Sequence, residues 1–127
     1  MLNASPTIQV LHLYQERSAA DYIGKVFDND SLFNYRAYSA TNVDVGQFKN
    51  ANLIVLEGVE QVSGSFRASL EEFVRNGGNL LIFPSARPDV TSYSQFLSGF
   101  GIQGINLNNQ PVLVQSQQAI AEPNRQN

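Results

Sequence analysis

The chain has no cysteine among its 127 residues, which removes a thiol nucleophile, a disulfide framework and any thiolate metal site together. It has one histidine, His12, and two lysines, Lys25 and Lys49, both in the first half. A histidine-based metal site would therefore lean almost wholly on carboxylates, and these are dispersed. Charged residues make up only 15%, below the roughly 25% of ordinary soluble domains. With a net charge of -3 and a pI near 4.9, and with its eight Lys and Arg scattered, the chain lacks the basic face that nucleic acid requires. No apolar run approaches the ~18 residues of a membrane span. The start, MLNASP, has neither the basic region nor the apolar core of a signal peptide, and residues 1–6 are read as a leader or the scar of a domain cut from a longer chain. No GxxxxGK[ST] run is present, so a phosphate-cradling P-loop is excluded.

What is present is an alternation of strands and helices. At 127 residues, 43% of them hydrophobic, the chain is expected to form one domain with a proper core. Ile8 to Tyr14 (IQVLHLY) reads as a first strand. Ser18 reads as an N-cap with Asp21 three residues on, and Ile23, Val26 and Phe27 give the following helix its apolar face. Asn34 to Ser39 (NYRAYS) is a polar-mixed strand suited to a sheet edge, and Asn42 to Asn50 has room for one or two helical turns. Asn52 to Glu57 (NLIVLE) is apolar throughout, the pattern of a central parallel strand covered on both faces. Phe66, Leu70, Phe73 and Val74 recur at helical spacing. Gly77 is placed as a left-handed terminator, and Gly78 leads tightly into a second buried strand, Asn79 to Pro84 (NLLIFP).

Asp89 or Thr91 is expected to cap a last helix with the stripe Tyr93, Phe96, Leu97 and Phe100. Val112 to Val114 is the best candidate for a fifth strand. This order implies an α/β fold, a three-layer flavodoxin-like sandwich around a mainly parallel five-stranded sheet of order 2-1-3-4-5. Ten of the last 22 residues are Asn or Gln. Residues 115–127 are accordingly read as a polar tail, or as the point where a longer native chain has been cut.

In such a sheet, ligands sit outside the carboxyl ends of the strands. The residues expected there are Glu16 and Arg17 after the first strand, Glu57 and Gly58 after the third, and Ser85 and Arg87 after the fourth. Glu57 ends an apolar strand, where its carboxylate is partly desolvated; the plainer expectation is an ion pair with Arg87 or Arg17. Ser85 would need a base to act as a nucleophile. His12 is expected two strands away, about 9.6 Å at ~4.8 Å per step, and a further 7 to 10 Å or so below the strand end. FPSAR also lacks the glycines of a GxSxG elbow. Ser85 is therefore read as a loop serine bonded locally, and His12 as a partly buried structural histidine.

The letters of GxGxxG occur at Gly99 to Gly104, but they follow a helix and lead toward a strand, the reverse of what dinucleotide binding needs. A receiver-type phosphoacceptor site would need a lysine after the fifth strand, and both lysines lie elsewhere. Flavin would need a hydroxyl- and glycine-rich loop after the first strand, where YQERSAAD offers one serine. No cofactor is expected.

The run ANLIVLEGV, the helix end EEFVRNGG and the strand NLLIFP together resemble the class I glutamine amidotransferase-like superfamily. The likeness spans about Ile8 to Ile102 and is specific from Ala51 to Ser85. Gly58 falls near the glycine that ends the family's third strand, and Pro84-Ser85 falls where the family has its catalytic cysteine. Here that cysteine is missing, its following glycine is replaced by Ala86-Arg87, and the downstream His and Glu have no counterpart. The chain is most similar to the degenerate domain of bacterial membrane proteins that begin with a double-transmembrane region, some of which carry von Willebrand A-like modules. That resemblance implies a non-catalytic domain of a membrane-anchored parent, facing the periplasm, that contacts a protein partner, other domains of its parent chain, a ligand or a second copy of itself. The alternatives from other classes are a serine hydrolase using Ser85 with Glu57 or Glu16, and a binder of a small anion or flavin between Arg17 and Arg87.

Overall fold

Strand β1 (Ile8–Tyr14) alternates its side chains between two covered faces, which is why six of its seven residues are largely or partly buried. A computed structural model describes residues 7–15, 23–29, 31–102 and 111–115; the expected cap at Ser18 and Asp21, the leader 1–6 and most of the polar tail lie outside them. Along the described chain follow β2 (Phe33–Ser39), a 3-10 helix (Val45–Asn50), β3 (Leu53–Glu57), helix α1 (Gly64–Arg75), β4 (Asn79–Phe83), helix α2 (Val90–Ser98) and β5 (Val112–Val114).

The sheet order is β2-β1-β3-β4-β5. The first four strands pair in parallel, with Tyr14 opposite Glu57 and Glu57 opposite Phe83, while β5 runs antiparallel to β4. This is an α/β, flavodoxin-like architecture with one reversed edge strand. A three-residue strand carries no sequence signal for its direction, so the alternation of elements pointed only to the parallel majority. β2 is half-exposed along its length, as an edge strand should be.

Both faces are covered. On one, Leu11, Leu13, Ile54, Leu56, Leu80 and Ile82 pack against Leu70, Phe73 and Val74 of α1 and Tyr93, Phe96 and Leu97 of α2, all of them buried. On the other, Val10 and Val55 pack with Ile23, flanked by Phe27, Phe33 and Tyr35. Residues 23–26 are helical, but Val26 is 62% exposed, so it is not part of that helix's apolar face as its spacing suggested. The turn that adds one residue takes Val26 outward while Ile23 and Phe27 stay in contact with the sheet.

Local chemistry ends these elements where the sequence expects. Asp89 caps α2 by accepting the Ser92 N–H at 3.2 Å. Gly77 has φ of 100°, the left-handed conformation that stops α1. Gly78 lies so close under the Phe73 ring that a Cβ there would collide with it.

Candidate functional site

The parallel register brings the carboxyl ends of β1, β3 and β4 level with one another. Two backbone bonds stitch these ends together: Gln15 N–H to Glu57 O at 3.2 Å and Gly58 N–H to Phe83 O at 2.9 Å. Gly58 turns away with φ of 66°, a conformation that favours glycine. Four of the expected site residues, Glu57, Gly58, Ser85 and Arg87, therefore stand at or just past these strand ends. The other two, Glu16 and Arg17, lie outside the described residues.

Below the crevice runs a chain of polar side chains that crosses three strands. His12 is fully buried. Its Nδ1 meets the Tyr35 hydroxyl at 2.6 Å and its Nε2 meets Glu57 Oε1 at 2.8 Å. The register explains the alignment. His12 is opposite Ala37 on β2 and Val55 on β3, so Tyr35 and Glu57 each sit two residues off, in opposite directions, on the same face. They are the two diagonal neighbours that long side chains can reach. Tyr14 sets its ring edge-on to the imidazole, with centroids 5.9 Å apart.

Burial decides the protonation pattern. It pushes the His12 pKa down from its usual 6.5 to about 4 and raises that of the Glu57 carboxyl. A neutral imidazole has one donor and one acceptor nitrogen. With Glu57 ionised, its carboxylate can only accept, which puts the proton on Nε2 and leaves Nδ1 to take the hydrogen of Tyr35. The chain then reads Tyr35 O–H to Nδ1, and Nε2–H to Glu57. It fixes one carboxylate oxygen from beneath while 15% of the Glu57 side chain remains exposed. Such a carboxylate is a preoriented acceptor for a donor group arriving at the strand ends.

This arrangement corrects two sequence expectations. Glu57 pairs with His12, and of its two expected partners Arg87 makes no ion pair among the described residues, while Arg17 lies outside them. His12 is wholly buried, not partly, because the diagonal contacts satisfy both ring nitrogens without water. Ser85 Oγ accepts the Arg87 N–H at 3.2 Å within its own turn, so its hydrogen bond is local. Tyr35 was not singled out by sequence reasoning. The available signal was alternation: β1 and β2 start level, so His12 and Tyr35 share a face once their order is known.

Among the described residues, no group of three or more His, Asp or Glu side chains is placed to hold a metal ion, and no helix is long and apolar enough to cross a membrane. A cleft of about 560 Å³ lies at the opposite end of the sheet, between the 3-10 helix and the end of α1. Comparison with protein-family models, with curated proteins and with solved structures gave no match in any of the three.

Proposed function

We propose that the chain is a non-catalytic, amidotransferase-like α/β domain that acts by binding, in protein interaction or ligand sensing, at the carboxyl ends of β1, β3 and β4. One observation carries this reading. Both nitrogens of the only histidine are engaged by Tyr35 and Glu57, while Ser85 turns its hydroxyl to its own backbone. Nucleophilic catalysis by serine needs a base within about 3 Å of the hydroxyl, and that role is filled by neither partner in the described geometry. Glu57, by contrast, is held from below and keeps 15% of its side chain exposed, an arrangement suited to a recognition group. The resemblance over Ala51 to Ser85 supports reading the domain as part of a larger, membrane-anchored bacterial protein, on its periplasmic side. β2, the edge strand of the sheet among the described residues, adds a second surface suited to a protein partner or a second copy.

Arg87 supports a second reading, the binding of a small anion, because its side chain is exposed and without an ion pair among the described residues. The experiment that separates these readings has two parts. A fluorophosphonate serine probe is applied to the protein and to Ser85→Ala; equal background labelling is expected. Labelling of Ser85 that disappears in His12→Ala would instead make it a hydrolase. Amide shift mapping with a small-ligand library then reads binding. Shifts gathered at Glu57, Gly58 and Arg87 are expected, and their absence with every ligand confines binding to partners that are proteins.

A further inference from the structure

The cleft at the amino ends of β3 and β4 lies opposite the proposed crevice, and its chemistry is its own. Its volume, about 560 Å³, falls within the ~300–1,000 Å³ of small-molecule sites. Phe48 and Phe73, both buried, give it an apolar floor.

Three polar side chains, Lys49, Asn52 and Glu72, line the cleft above that floor. Asn52 accepts the Gln9 backbone N–H on Oδ1 at 2.8 Å. A backbone N–H can only donate, so this bond fixes which end of the carboxamide is oxygen and leaves its NH₂ as the outward donor. No bond from that NH₂ to a described residue is formed. Lys49, at the end of the 3-10 helix, also lines the cleft and makes no ion pair among the described residues. Together Lys49 and Asn52 form a donor side.

The other wall is an acceptor side. On α1, Glu71 lies within 3.3 Å of Arg67 and 4.0 Å of Arg75. Its neighbour Glu72 has no cation among the described residues and lines the cleft. Glu72 stands in the last turn of α1, whose carbonyl end favours positive charge. Donors and cation therefore occupy one wall, carboxylate and helix carboxyl end the other, with an aromatic floor between them.

We infer that this cleft is a binding site for a small zwitterion of the α-amino-acid class, its carboxylate taken by Lys49 and Asn52 and its ammonium by Glu72. A simple anion would meet the unpaired carboxylate of Glu72, and a simple cation would meet Lys49, so only a ligand with both charges satisfies both walls. This inference is independent of the crevice reading, since the two sites lie at opposite ends of the strands.

The test is amide shift mapping on the whole chain, titrating each of the twenty L-amino acids, with butyrate and n-butylamine as singly charged controls. At least one amino acid is expected to shift the Asn52, Glu72 and Gly78 amides in a saturable way, with the controls weaker by about tenfold, a difference of ~1.4 kcal/mol. Lys49→Met and Glu72→Gln are each expected to weaken that binding about threefold, in keeping with the modest strength of exposed charge contacts. Both residues are exposed, so unchanged unfolding midpoints confirm that the variants fold. The inference is overturned if no amino acid moves these amides, or if butyrate or butylamine binds as well as the best amino acid. Shifts confined to Glu57, Gly58 and Arg87 would also overturn it, while leaving the crevice reading intact.

Discussion

The two faces of the sheet are built from the same strands yet held by different physics. β1 sends Leu11 and Leu13 to one side and Val10, His12 and Tyr14 to the other. The α1 and α2 face is a largely apolar core, in which the buried hydroxyl of Tyr93 donates to the Val59 carbonyl and that of Ser92 accepts the Val62 N–H. Its stability comes from area removed from water, which is non-directional and tolerant of small shifts. The opposite face spends part of its interior on the Tyr35–His12–Glu57 chain, where every bond depends on register. A polar chain in that position adds little net stability when satisfied but costs a good deal when one member is removed. The difference suggests that the first face maintains the fold and the second maintains a geometry.

That contrast can be broken in order of effect. Leu56→Ala on the apolar face removes a fully buried side chain and is expected to cost about 2–5 kcal/mol in urea unfolding. A loss under about 1 kcal/mol would mean that this face repacks freely and is not the main core. Next in size is the pH dependence of the polar face. The His12 pKa falls from 6.5 to about 4 on folding, so between those values the unfolded chain binds more protons than the native one. Stability is therefore present above pH 6.5 and is lost as pH falls toward 4, by about 3 kcal/mol at ~1.4 kcal/mol per unit. Glu57 acts with the opposite sign, because a raised carboxyl pKa favours the folded state as acid is added, and it offsets part of the slope at the acidic end. Denaturant midpoints measured across this range should follow the slope in the parent and flatten in His12→Leu; an equal slope in both would assign the effect to other groups.

Smaller still, Tyr35→Phe strips the donor from Nδ1 of a buried ring and is expected to cost about 1–2 kcal/mol, most of it vanishing when His12→Leu is already present, as a double-mutant cycle would read. The smallest effect is at the crevice surface. Ser85→Ala removes one local turn bond and should move stability by no more than about 0.5 kcal/mol. A larger loss would show that Ser85 is tied into the core in a way its turn does not display.

Much of the fold could be read from residue pattern. The apolar runs at Ile8 to Tyr14 and Asn79 to Phe83 and the stripes of α1 and α2 each name an element by its period, and Gly77 and Asp89 mark boundaries by backbone chemistry. Val26 escaped the same logic, because three residues at helical spacing do not say how far round the helix the sheet extends. The site was legible only in part. Glu57 drew notice as a charge closing an apolar strand, but its partner was sought among arginines in neighbouring loops. Pairing by charge ignored a neutral histidine one strand away that offers an N–H without a second buried charge, the cheaper solution in a desolvated place. Tyr35 carried no local mark at all.

By itself the sequence determined the composition of this protein's chemistry: a single imidazole, no thiol, two lysines, and strands whose apolar period commits them to a covered sheet. Those are properties of each residue and its near neighbours, and they survive any arrangement of the chain. Tertiary structure decided which residues meet. The parallel register placed Tyr35, His12 and Glu57 on one diagonal, and the ends of the 3-10 helix and α1 set Lys49 and Glu72 along one cleft. Such contacts depend on the order and offset of strands dozens of residues apart, where a shift of one position would turn every side chain to the other face.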